Sequence, residues 1–230
     1  MSNIADPRFK AMLSMDGGVV TAVKAANEDL LERTVIELKS IVSVETVKPL
    51  IDALNTAVEG DMIELHIRHN GGGDVDALFA LISAIVHTKA QVEITIGRYI
   101  MSAAATLWLW FWLWRAPHVK SLMPLKPAIL MYHRPRRSYG EDYYCFAESL
   151  SDGDQTKSSL VQKVKIFDDL FDAMMDRIGW SHIADPFLTV GEVSYQHRLQ
   201  HMKEAYYGNK DCVIPVFPDQ GATDEDLRTE

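Results

Sequence analysis

Ser102, His133 and the run Gly71-Gly72-Gly73 are the residues of this 230-residue chain whose types could carry out acyl transfer. A serine hydroxyl is a weak nucleophile at its own pKa and needs a neighbouring base. Histidine suits that task, because an unperturbed pKa of about 6.5 leaves the ring mostly neutral near pH 7. The imidazole in turn needs a carboxylate to hold its tautomer and stabilise the imidazolium. The oxyanion of a tetrahedral intermediate needs backbone N–H groups, which glycine turns and helix N-termini supply. With eight histidines in the chain, chance pairings are common, so the elements around these residues must decide.

Those elements alternate in type. "TVIELKSIV" (34–42), "MIELHI" (62–67), "QVEITI" (91–96) and "PAILMY" (127–132) read as strands. Between them, "TVKPLIDALNTAV" (46–58) puts Val47, Leu50, Ile51, Leu54 and Val58 on one helical face. Asp74 looks like an N-cap for "VDALFALISAIVH", whose Val75, Leu78, Phe79, Ile82 and Val86 keep helical spacing. The segment "RPRRSYGEDYYCFAESLSDGDQ" is polar and loop-like. After it, Leu160, Val164, Phe167, Phe171, Met174 and Ile178 mark a long amphipathic helix over 158–178 that Gly179 would stop. Strands alternating with helices predict an α/β fold of βαβ units around a mostly parallel sheet. In such sheets catalytic groups collect beyond the carboxyl ends of strands, where the glycine run, Ser102 and His133 all fall. Ser102 also stands where a strand gives way to a helix.

Composition narrows the field. A net charge of −9 argues against a nucleic-acid binder, which needs a basic surface to neutralise phosphates. Two cysteines cannot make a disulfide framework, so a reducing, cytoplasmic setting is expected. The opening "MSNIADPRFK" has no charged-then-apolar signal pattern. The tryptophan-rich run Ile100–Trp114 is fifteen residues long, shorter than the roughly 20 of a bilayer span, so a buried core helix is expected and no membrane association.

The stretch "IELHIRHNGGGDVDALFALISAIVHTKAQVEITIGRYIMSAAAT" resembles the proteolytic subunit of the Clp protease and its relatives in the Clp/crotonase superfamily. There a strand leads to a glycine-containing turn and a helix, and a second strand leads to a glycine, small residues and a nucleophilic serine. "NGGGDV" stands at the turn and "GRYIMSAAA" at the nucleophile. The family histidine follows a strand like "AILMYH", and "ADPFLTVGEV" matches the stretch that carries the family aspartate, here Asp185. The resemblance covers most of residues 34–215 in the family's chain order. It implies a Clp/crotonase-like catalytic domain over 34–218 with a protruding long helix, an N-terminal extension over 1–33 and an acidic tail over 219–230. It further implies a serine endopeptidase with Ser102 as nucleophile, His133 as base and Asp185 orienting it. The amides of Gly73 and Ala103 would hold the oxyanion, with Gly72 as the alternative to Gly73. A polypeptide substrate, a homo-oligomeric ring with 158–178 as ring-to-ring contact, and a separate ATPase unfoldase or a phage capsid scaffold complete the picture. The chain has no phosphate-binding P-loop, so ATP dependence would come from another chain; no cofactor and no metal are expected.

The sequence departs from that pattern in places. The turn lacks the family's proline, and the loop after His133, "RPRRSYG", is arginine-rich where the family has a glycine-rich, substrate-binding strand. Arg134, Arg136 and Arg137 could grip a phosphate or carboxylate or simply line an exposed loop. Pro186 restricts Asp185 to extended backbone, and Asp154, Asp168, Asp169 and Asp172 are other carboxylates available to the histidine. Ser102 could instead cap the helix that follows it. His197 and His201 have a zinc-compatible spacing but no third ligand, and Cys145 and Cys212 read as ordinary thiols. Two other functions fit the same residues: a crotonase-like acyl-CoA enzyme using the oxyanion hole without a nucleophile, and an inactive Clp-like ring or capsid-assembly subunit.

Overall fold

The computed structural model describes residues 13–15, 18–23, 33–139, 143–178 and 190–218. The chain is α/β and divides into two compact units, Met1–Leu130 with Pro215–Glu230, and Met131–Ile214.

The first unit is built on a mostly parallel sheet. Its elements are β1 (Leu13–Met15), β2 (Gly18–Val23), β3 (Arg33–Val42), α1 (Val44–Thr56), β4 (Met62–Gly73), α2 (Val75–His87), β5 (Gln91–Ile96), β6 (Tyr99–Met101), α3 (Ser102–Leu113), β7 (Val119–Ser121) and the start of β8 (Ala128–Tyr132). The strand order is β1-β2-β3-β4-β6-β8, with β5 pairing β4 and β7. β3, β4, β5 and β7 run parallel, while β1 and β2 form an antiparallel hairpin on β3. β8 and β11 (Cys212–Val216) are the strands that cross from one unit to the other.

Alternation in β3, β4 and β5 sends Ile36, Leu38, Ile63, Leu65, Ile67, Val92 and Ile94 to a buried face. α1 packs on β3 and α2, and α3 packs on β4, β6 and β7. α1 starts in a reciprocal capping box between Ser43 and Thr46. α2 starts as the sequence predicts, with Asp74 Oδ1 accepting from the N–H of Asp76 at 2.7 Å and of Ala77 at 3.2 Å. Its buried stripe is rotated from the expected one: Ala77, Leu81, Ala84 and Ile85 join Leu78 and Ile82, and Val86 faces out. Small alanines on the sheet side let α2 approach closely, so hydrophobic spacing weighted by large residues points to the wrong edge of the face.

The tryptophan-rich run splits. Tyr99–Met101 becomes β6, and α3 begins at Ser102. α3 is a core helix over its first half, with Ala103, Ala104, Ala105 and Leu107 wholly buried, whereas Trp110 and Trp112 beyond it are half-buried and Trp114 is exposed. Trp108 is buried too and donates its indole N–H to the Leu122 carbonyl at 2.9 Å. Among the described residues no helix is long and apolar enough to cross a membrane.

The second unit holds the rest of β8, β9 (Arg137–Tyr139), β10 (Tyr143–Cys145), α4 (Lys157–Arg177), α5 (Val190–Tyr207) and the start of β11. β9 and β10 pair antiparallel inside the stretch expected to be a loop. α4 lies where the periodicity predicts, burying Leu160, Phe167, Leu170, Phe171, Met174 and Met175. Its core is an aromatic stack: Tyr132 lies 5.7 Å from Phe167 and 5.6 Å from Tyr206, and Phe171 lies 3.9 Å from Tyr206, centroid to centroid.

Candidate active site

Ser102 is reached by a strand that stops at Met101, still extended at φ −133° and ψ 152°. Ser102 then turns to φ +51°, a left-handed conformation that costs a non-glycine residue about 1–3 kcal/mol. Two residues later the chain is deep in α3. A serine held in strain between a strand and a helix, with its backbone at the positive end of that helix, is the arrangement of a nucleophile elbow. The capping role of a serine before a helix does not fall to it. The residue flanking α3 is Met101, and Ser102 is already the helix's first residue.

The glycine run is not a turn beyond a strand. β4 continues through it to Gly73, and bulges against β3 at Ser40 absorb the extra length. Two of the three glycines are there by necessity. Gly72 has φ +82°, and a Cβ on it would lie 2.5 Å from Ser102 Cβ, 2.6 Å from the Met101 oxygen and 2.9 Å from the Ala103 nitrogen. Gly73 has φ +142°, and a Cβ there would collide with the Val42 carbonyl. Gly71 has only the Ser40 carbonyl at 3.6 Å. The sheet thus lays the Gly72 backbone directly on the Ser102–Ala103 peptide.

Asn70, which sequence reading passed over, orders this corner. It is 1% exposed, donates to the Leu38 carbonyl at 3.3 Å, and accepts the Gly72 N–H at 2.9 Å. Gly72's amide is therefore committed, and the Asp74 amide bonds the Val42 carbonyl at 2.8 Å. Of the expected oxyanion donors, Gly73 and Ala103 are the pair whose amides these bonds leave out. The signal for Asn70 was its place at the start of the glycine run, since a side-chain carbonyl bonding an amide two residues on is an Asx turn.

His133 follows β8 in the second unit and is 8% exposed. Its Nδ1 lies 2.7 Å from the Arg134 carbonyl oxygen. Burial is the main influence on its pKa and lowers it; the bond to Arg134 raises it, Arg136 lowers it and Asp211 raises it, and the balance stays below the ordinary histidine value. Asp185 lies outside the described residues. The structure therefore brings Gly72, Ser102 and Ala103 together in the first unit and sets His133 in the second.

The arginines of the loop are all paired with carboxylates of the chain itself, and Arg137 remains partly exposed. Arg134 pairs with Asp168 and Glu148, Arg136 with Asp211, and Arg137 with Asp154. Of the four other candidate carboxylates, Asp154 is engaged by Thr156, Asp168 by Arg134 and Tyr206, and Asp172 by Tyr207. Cys212 is buried and its thiol is pushed up to about 12 by that burial, which leaves it unreactive at neutral pH. A separate cleft of about 400 Å³ opens on the other face of the first unit's sheet, over Glu37, Glu64, His66, Arg68 and Thr95; neither Ser102 nor the glycine run lines it.

No protein-family model matches the chain, and no curated protein matches it either.

Proposed function

We propose that the chain is a serine endopeptidase of the Clp proteolytic-subunit type within the Clp/crotonase superfamily. The observation that carries this reading is Ser102: a strained residue at the strand-to-helix turn, with a glycine strand pressed against its backbone. Ser40, His69 and Asn209 also have positive φ; at Ser102 that strain coincides with a strand-to-helix junction and a glycine backbone packed on it. Ser102 Oγ attacks the peptide carbonyl and His133 accepts its proton, then passes it to the leaving amine. The amides of Gly73 and Ala103 hold the oxyanion, and water releases the acyl-enzyme. Asp185 is the third member that the resemblance implies. By the same resemblance the active form is a homo-oligomeric ring in the cytoplasm, fed with polypeptide by a separate ATPase or scaffold protein, with α4 between rings.

A fluorophosphonate probe tests the reading. Mass spectrometry is expected to place the adduct on Ser102, with labelling lost in Ser102→Ala. Peptidase activity of that variant is expected to fall at least about a thousandfold. A folded, oligomeric protein that takes no label at Ser102 would overturn the reading and favour the acyl-CoA or inactive-subunit alternatives.

A further inference from the structure

The group that holds the His133 ring at Nδ1 is the backbone carbonyl of Arg134. A carbonyl oxygen only accepts, so the 2.7 Å contact between His133 Nδ1 and the Arg134 carbonyl puts the ring proton on Nδ1. Nε2 is then the nitrogen with the lone pair, which is the tautomer a general base needs. A backbone acceptor does this only if its own peptide plane is fixed, and three restraints converge on Arg134.

The first is covalent. Pro135 follows Arg134 and keeps it out of the helical region, and Pro135 is itself buried. The second is a bidentate fork: Arg134 Nε lies 2.9 Å from Asp168 Oδ1 and Nη2 2.7 Å from Asp168 Oδ2. Asp168 stands on α4, two turns of which are buried around it through Phe167, Leu170 and Phe171, and it also accepts the Tyr206 hydroxyl at 2.9 Å. The third is a stack, with the guanidinium carbon 4.8 Å from the Tyr207 ring centroid and 5.6 Å from that of Tyr206. At 13% exposure, the Arg134 side chain is an anchor rather than a surface charge. The ion pair thus ties the peptide beside His133 to the body of the second unit.

We propose that Arg134, locked to α4 by Asp168, is the positioning residue of the general base: its carbonyl sets the tautomer and aim of His133. The catalytic meaning of this rests on the serine-peptidase reading; the hydrogen bond does not. Asp168 serves the base from one step away, through the arginine.

Nitrogen-15 NMR of the histidine rings in the full-length chain reads this directly, with the His133 signals assigned by their loss in His133→Gln. The wild-type protein is expected to show Nδ1 protonated and Nε2 bare. Asp168→Asn and Arg134→Lys are expected to lose the single tautomer and give averaged shifts, and Asp168→Glu to restore it. An unaltered tautomer in folded Asp168→Asn overturns the proposal. If Asp168→Asn does not fold, Arg134→Lys carries the same test, since lysine keeps the charge but not the fork. The two readings separate cleanly. A tautomer that answers to Asp168 in a protein that takes no fluorophosphonate keeps this inference and sinks the peptidase. A labelled Ser102 with a tautomer indifferent to Asp168 does the reverse.

Discussion

Burial of His133 sets the direction of two pH effects. Its folded pKa lies below the ordinary value, chiefly because desolvation disfavours the imidazolium. The base therefore stays neutral to a lower pH than a free histidine, and the acid limb of kcat/KM is expected below about 6.5. Stability carries the same sign. As pH falls through about 6.5 the unfolded chain takes up a proton that the folded chain refuses, so stability drops until the folded pKa is passed. Urea midpoints at neutral and mildly acidic pH are expected to show that slope, and His133→Gln to reduce it. The glycines give a sharper residue-scale test. Gly72→Ala meets Ser102, Met101 and Ala103 at positive φ, and is expected to cost about 3 kcal/mol and abolish labelling of Ser102. Gly71→Ala has room and ordinary backbone angles, and is expected to cost less than about 1 kcal/mol and leave labelling intact. Chemical denaturation with the same probe separates the pair.

At the scale of elements, α2 stands beside the glycine corner of the first unit and α4 anchors Arg134 beside His133 in the second. α2 follows the glycine corner immediately, and its cap at Asp74 is the hinge between them. Asp74→Ala is expected to cost about 1 kcal/mol by denaturation. α3 is held by volume. Trp108→Ala removes a buried indole and its bond to Leu122, and is expected to cost about 3–5 kcal/mol. α4 was legible at once, because long apolar side chains at spacings of three and four leave a strong local pattern. β9, β10 and β11 were not, since strands of three to five residues owe their existence to a partner rather than to their own sequence. The extension of β4 through three glycines belongs with them: glycine has no preference for a strand, and the register with β3 imposes it.

Taken whole, the molecule is an α/β chain of two units with a nucleophile candidate in one and a base candidate in the other. Its charge of −9 disfavours polyanionic partners. Under the proposed function the ring is the working form, and light scattering that found only single chains, with the fold intact, would count against it.

By itself the sequence determined the alternation of strands and helices, the cap at Asp74 and the place of Ser102 at a strand-to-helix junction. All of these are written in contacts between near neighbours along the chain, where periodicity and capping rules apply. Only the tertiary structure decided that Gly72 rather than Gly71 must be glycine, that Asn70 ties the corner together, and that the loop arginines are spent on the chain's own carboxylates. Each depends on groups well separated along the chain meeting at a fixed distance, and no local pattern of residue types encodes such a meeting.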